Sequence, residues 1–231
     1  MKNIVIATIK EWNINNYFEL KKELENEYSL YLLTNKDELS FKNIEKINPK
    51  YIFFPHWSWI IPENIYKNYE CILFHMTDLP YGRGGSPLQN LIINKVYNTK
   101  ISALKVTKGL DEGDIYLKED FDISKGSANE IYINASKLIF KKLIPNILRQ
   151  NPTPVRQEGD VVNFKRRTPE QSNIKMLNDV SIANLYDFIR MLDAPSYPKA
   201  YIELDNLKIE LSEVIIKDGK LEGRFEVSKD E

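Results

Sequence analysis

The sequence predicts an α/β fold, a parallel sheet with right-handed crossovers, followed by a small α+β appendage. Two observations carry this. Four short apolar runs, Ile4 to Ile9, Leu30 to Leu33, Tyr51 to Pro55 and Cys71 to His75, are rich in Ile, Val, Phe or Tyr and bounded by polar segments, as buried strands are. Between them lie stretches with helical spacing, Tyr17, Leu20 and Leu24, then Ile44 with Ile47. Strands alternating with helices build parallel sheets.

Further along, Pro87 to Lys95 reads as a helix and Ile101 to Thr107 alternates like a strand. Ile131 to Leu148 reads as a long amphipathic helix with Leu138, Ile139, Leu143 and Ile147 inward, closing a first domain over residues 1–150. Asn151-Pro-Thr-Pro154 breaks the pattern. A second region, 151–231, holds a helix from Ile182 to Leu192 and two strands, Leu207 to Ile216 and Leu221 to Val227, turning at Asp218-Gly219. This hairpin would suit a homodimer interface.

Composition narrows the function. The chain has 231 residues, 42% of them hydrophobic, enough for a substantial core. Its 32 Lys and Arg balance 33 Asp and Glu and are dispersed, which argues against a nucleic-acid groove. The single cysteine, Cys71, can form no internal disulfide and no cysteine-based zinc site, so a reduced, cytoplasmic protein without metal is expected. No apolar run approaches the roughly 18 residues of a membrane span, and no membrane partner is expected.

In an open parallel sheet, ligands bind beyond the carboxyl ends of the strands. Both histidines sit there: His56 follows Tyr51-Ile-Phe-Phe-Pro55, and His75 follows Ile72-Leu-Phe74. Each could simply cap its strand, but an imidazole is also useful chemistry near neutral pH. After His75 comes a Gly/Pro-rich loop, Met76-Thr-Asp-Leu-Pro-Tyr-Gly-Arg-Gly-Gly-Ser-Pro87, entering a helix whose free backbone N–H groups could cradle an anion; a tight surface turn is the plainer alternative. It is not a P-loop, and the turn after the first strand, Ala7-Thr-Ile-Lys-Glu-Trp12, lacks the glycines of a dinucleotide fold. A second loop, Lys108-Gly-Leu-Asp-Glu-Gly-Asp-Ile115, carries Asp111.

These two loops together resemble the folate-dependent formyltransferases, a family that includes tRNA, ribonucleotide and nucleotide-sugar enzymes. His75-Met-Thr-Asp-Leu-Pro80 with Arg83-Gly-Gly-Ser-Pro87 looks like the family's histidine loop, and Leu110-Asp-Glu-Gly-Asp114 like its aspartate turn, 111 − 75 = 36 residues apart. Phe164-Lys-Arg-Arg-Thr-Pro-Glu170, Ile189-Arg190 and Tyr197-Pro-Lys-Ala200 resemble segments of the tRNA and sugar enzymes. The resemblance implies a Rossmann-like parallel-sheet formyltransferase domain. It also implies N10-formyltetrahydrofolate as co-substrate, whose formyl carbon is attacked by an amine. His75 would stabilise the oxyanion and relay a proton, and Asp111 would orient the imidazole.

One position departs from the family. Leu73 stands where the family has an asparagine donor, and His56, the only other imidazole and also at a strand end, is the expected substitute, with Ser58 and Thr77 competing. The folate is expected across Trp57, Ser58, Trp59 and Ile60 and across Thr107, Leu110 and Asp111, although both tryptophans could equally be core. Lys10, Asn13, Thr77, Arg83 and Tyr197 are the expected substrate contacts. Loop wording is closest to nucleotide-sugar enzymes and to the formylation domain of peptide synthetases. A UDP-linked 4-amino-4,6-dideoxy sugar is therefore the expected acceptor, its dTDP counterpart next, which would place the chain in glycan biosynthesis. Net charge and the short region after the linker argue against tRNA. A non-catalytic synthetase-associated module is the alternative of a different class.

Overall fold

The structure is a computed structural model that describes residues 1–195 and 197–229. In chain order the elements are β1 (Lys2–Ala7), α1 (Glu11–Leu24), β2 (Tyr28–Leu33), α2 (Phe41–Ile47), β3 (Tyr51–Phe54), α3 (Glu63–Tyr66), β4 (Cys71–His75), β5 (Tyr81–Gly84) and α4 (Pro87–Ile93). They continue as β6 (Asn98–Lys105), β7 (Ile115–Asp122), α5 (Ala128–Leu138), a π-helical turn (Ile139–Leu143), α6 (Ile144–Gln150), β8 (Val162–Phe164), α7 (Ile182–Arg190), β9 (Ala200–Leu204), β10 (Leu207–Lys217) and β11 (Lys220–Lys229).

Two compact units are interleaved along the chain rather than divided at one point near residue 150. The first comprises Met1–Arg83, Thr99–Phe121 and Ile133–Asn163; the second comprises Gly84–Asn98, Asp122–Tyr132 and the chain from Phe164 onward.

The main sheet has the order β2-β1-β3-β4-β6-β7. Its first four strands are parallel, as the alternation of strands and helices predicts. β6 runs antiparallel to β4, with His75 opposite Ser102, so the sheet is mixed rather than wholly parallel. Apolar runs alone do not encode strand direction, because side chains alternate identically in both. The chain crosses from one side of β1 to the other between β2 and β3, which makes the ends of β1 and β3 the switch point where such sheets bind ligands. Val5, Ala7, Ile52, Phe54, Ile44 and Ile65 form a fully buried cluster beneath it.

The long helix predicted from Ile131 to Leu148 is a helical run from Ala128 to Gln150 interrupted by the π turn. Pro145 is the cause: it has no N–H to donate to the preceding turn, and the backbone widens before it. Ile139, Leu143 and Ile147 are buried as expected.

In the second unit, β9, β10 and β11 form an antiparallel sheet. The hairpin turns at the predicted residues, with φ +49° at Asp218 and +72° at Gly219, the left-handed pair a two-residue turn requires. β9 escaped the sequence reading, being short and preceded by Pro198.

Candidate active site

The first unit brings the two loop residues together. His75 ends β4 and is 7% exposed; Asp111, 6% exposed, stands in the β6–β7 turn with a left-handed φ of +55°. His75 Nδ1 lies 3.5 Å from Asp111 Oδ2, and its Nε2 lies 2.7 Å from the Gly82 carbonyl. A carbonyl can only accept, so Nε2 carries the hydrogen in that contact. Thr77, fully buried, also donates to the Gly82 carbonyl, at 3.4 Å.

Neither loop holds itself. Ser102 Oγ donates to the Thr77 carbonyl at 2.7 Å and accepts from the Leu79 N–H at 3.4 Å, tying the histidine loop to β6. Gln157 Nε2 donates to the carbonyls of Asp111 and Gly113, both at 2.8 Å, and its Oε1 accepts from Arg83 Nε and Nη2 at 3.1 and 2.8 Å. Arg83 therefore braces the aspartate turn, with Glu112 a further 3.8 Å partner. Sequence reasoning missed Ser102 and Gln157. A serine inside the apolar run Ile101-Ser-Ala-Leu104 was a usable signal; nothing local distinguishes Gln157, which reaches across 46 positions to Asp111.

Gly113 allows the turn to close. A Cβ there would stand 1.8 Å from the Lys105 carbonyl oxygen, which is backbone and cannot yield cheaply. Gly113→Ala is expected to cost about 1–3 kcal/mol and to lower activity together with stability, as a thermal melt beside a rate assay would show. A variant with unchanged Tm and rate would contradict that packing.

His56 and Leu73 are each two residues or fewer from the last β3–β4 register pair, Phe54 with Leu73. His56, half-buried with φ +52°, has its Nδ1 3.3 Å from Asn13 Nδ2. The fully buried Asn13 also donates to Thr8 Oγ1 at 2.8 Å and to the Pro55 carbonyl at 3.2 Å, stitching the end of β1 to that of β3. Burial, with the Lys10 charge second, pulls the His56 pKa down to about 4, so this imidazole is neutral at neutral pH. Lys10 sits 5.7 Å from the Trp12 ring centroid, and Trp12 meets His56 edge-on. Leu73 packs against Leu79, Leu104 and Ile115.

Among the expected folate contacts, Trp57 is half-buried and meets Phe54 and Trp59 edge-on. Ser58, Ile60, Thr107 and Leu110 are exposed, with Thr107 Oγ1 donating to the Gly109 carbonyl at 3.3 Å. Tyr197 belongs to the second unit, where its hydroxyl reaches Ser86 Oγ at 3.4 Å.

The glycines of the histidine loop answer to packing. In the second unit a Cβ on Gly84 would lie 2.4 Å from the Phe164 carbonyl oxygen, and one on Gly85 2.5 Å from Arg166 Cβ. The chain at 164–166 lies directly on them. The basic run Lys165-Arg166-Arg167 splits: the first two are exposed and Arg167 is half-buried.

No helix among the described residues is long and apolar enough to cross a membrane. A family model described as the methionyl-tRNA formyltransferase C-terminal domain matches residues 169–228. A solved structure, "Methionyl-tRNA formyltransferase from Clostridium thermocellum", is 50% identical with a TM-score of 0.95, over 99% of this chain and 100% of that one. A curated methionyl-tRNA formyltransferase of Rickettsia massiliae is 33% identical over 136 residues, 57% of this chain and 45% of that protein; the chain spans about half the length of the curated relatives it matches. A sugar N-formyltransferase of Shewanella, 15% identical with a TM-score of 0.71 over 97% of this chain and 96% of that one, shares the fold.

These relatives overturn the nucleotide-sugar acceptor, the glycan-biosynthesis setting and the exclusion of nucleic acid. The physical reason is that the two loops resemble a family whose members formylate different amines, so their wording does not identify the acceptor. Length gave no valid exclusion either, since a protein matched from end to end bears the tRNA enzyme's name. A net charge of −1 sums the whole chain and describes no particular surface. With the paired loops, the mixed sheet and a half-identical relative matched along its whole length, the chain belongs to the folate-dependent formyltransferase family.

Proposed function

We propose that the chain transfers the formyl group of N10-formyltetrahydrofolate to the α-amine of methionine esterified to tRNA. The end-to-end 50% likeness to the Clostridium thermocellum protein carries this reading for the acceptor. The His75–Asp111 pair supports the chemistry. The amine nitrogen attacks the formyl carbon, the C–N10 bond breaks as the tetrahedral intermediate collapses, and the proton lost by the amine passes to N10. His75 donates its Nε2 hydrogen to the developing oxyanion, and Asp111 holds the ring from Nδ1. The formyl oxygen, an acceptor, takes the place that the Gly82 carbonyl holds on Nε2. Trp57 and the Thr107–Asp111 turn border the folate, and Arg83 acts through Gln157 to keep that turn in place.

The test is incubation of the full chain with N10-formyltetrahydrofolate and methionyl-tRNA, base release of the amino acid, and mass spectrometry. Methionine heavier by one CO is the expected product. Absence of transfer to methionyl-tRNA, with the folate substrate intact, would refute the reading.

A further inference from the structure

A cavity of about 270 Å³ lies within the second unit, bordered by α4, α7 and the stretch from Gln171 to Asp179. One wall is apolar and soft, formed by Ile92, Met176, Leu177, Phe188 and Met191. The polar lining holds Arg167 and Lys95, the carboxylates Asp179 and Asp187, and the side-chain amides of Gln171, Asn178 and Asn184.

Arg167 is the informative residue. Its backbone N–H donates to Ser86 Oγ at 3.1 Å, its Nη2 donates to the Gln171 carbonyl, and the guanidinium also hydrogen-bonds the Tyr197 side chain. The guanidinium carbon sits 5.9 Å from the Phe188 ring centroid. Nε is buried and has no hydrogen-bond partner, and among the described residues no carboxylate forms an ion pair with it. A half-buried cation without an anion is costly, and structural arginines are normally paired. Asp187 cannot fill the gap: its carboxylate already takes Lys95 at 2.9 Å, Arg190 at 2.8 Å and the Tyr97 hydroxyl at 2.5 Å. Asp179 is engaged by the Asn184 amide at 2.8 Å.

We propose that this cavity binds a nucleoside monophosphate unit, with the phosphate on Arg167 and the base against Phe188, Met176 and Met191. A guanidinium fork matches a phosphate in geometry and charge. Aromatic and thioether groups pack on a planar ring, and carboxamides offer a donor and an acceptor to a base edge. The volume, just under the roughly 300–1,000 Å³ of most ligand pockets, suits one nucleotide and not two. The same chemistry comes from a free nucleotide or from one unpaired nucleotide of an RNA. The site does not depend on the acceptor proposed above.

Calorimetric titration of the full chain with AMP, GMP, CMP and UMP, with the matching nucleosides and with inorganic phosphate tests this. At least one monophosphate should bind saturably with a Kd of about 1 mM or tighter, and its nucleoside at least about tenfold more weakly. Arg167→Gln should weaken that binding by about tenfold or more. Met176→Ala, at a side chain 60% exposed and so harmless to folding, should weaken it several-fold. Adding an RNA hairpin with a single-stranded 3′ tail then identifies the source: displacement of the nucleotide assigns the site to RNA, and no displacement assigns it to the free nucleotide. The proposal is overturned if no monophosphate binds, if phosphate alone binds as tightly as the nucleotides, or if both variants bind like the parent chain. Formyl transfer by the parent chain in those cases would leave the proposed activity standing alone.

Discussion

His75→Ala is expected to lower the rate of formyl transfer to methionyl-tRNA by about 10²–10³-fold, with little change in Tm. The imidazole is held at both nitrogens, by Asp111 at 3.5 Å and by the Gly82 carbonyl at 2.7 Å, so its donor is positioned before substrate arrives. Preorganisation of this kind is what makes a single donor worth several kcal/mol in a transition state. Asp111→Asn keeps the volume of the side chain and removes its charge, and should reduce the rate with little effect on KM. Single-turnover kinetics at saturating folate separates these effects. Retention of more than about a tenth of the parent rate by His75→Ala would remove the histidine from the mechanism.

The largest stability effect is expected at Arg190, which is 1% exposed. Its Nε donates to Asp187 Oδ1 at 2.8 Å, and Nη1 donates to the carbonyls of Ile123 and Gly126, both at 3.0 Å. Arg190→Ala removes all three donors and leaves a buried carboxylate relying on Tyr97 and a half-exposed Lys95. Breaking a buried pair from one side costs about 3–5 kcal/mol, a fall in Tm on the order of 10 °C for a chain of this size. Arg190→Lys returns the charge but not the fork, and should recover only part of the loss. Denaturant unfolding measures both; a loss below about 1 kcal/mol for Arg190→Ala would mean that water or another cation replaces the guanidinium.

The legible part of the site was the part written in consecutive residues. His75 and Asp111 stood out because each follows a strand-like run and opens a turn, and the structure brings them to ion-pair distance. Asn13 was read as a substrate contact; in the fold its Nδ2 engages Thr8, Pro55 and His56, while its buried Oδ1 has no hydrogen-bond partner. Arg83, given the same reading, spends two of its donors on Gln157. Pro55, His56 and Gln157 lie tens of positions from the residues they engage, where spacing carries no signal. The acceptor was misread for a different reason: the loop wording near the histidine resembles a family whose members formylate different amines, so it does not single out one of them.

By itself the sequence determined what short-range geometry dictates. Strand runs, the amphipathic helix and the Asp218-Gly219 hairpin follow from side-chain periodicity and from which residues tolerate a positive φ, both settled within a few bonds. Only the tertiary structure decided that β6 opposes β4, that Gln157 clamps the Asp111 turn, and that Arg167 turns inward beside Phe188. Those outcomes depend on which distant surfaces bury one another. Contacts of that kind are selected by the packing of the whole chain, not by any local pattern along it.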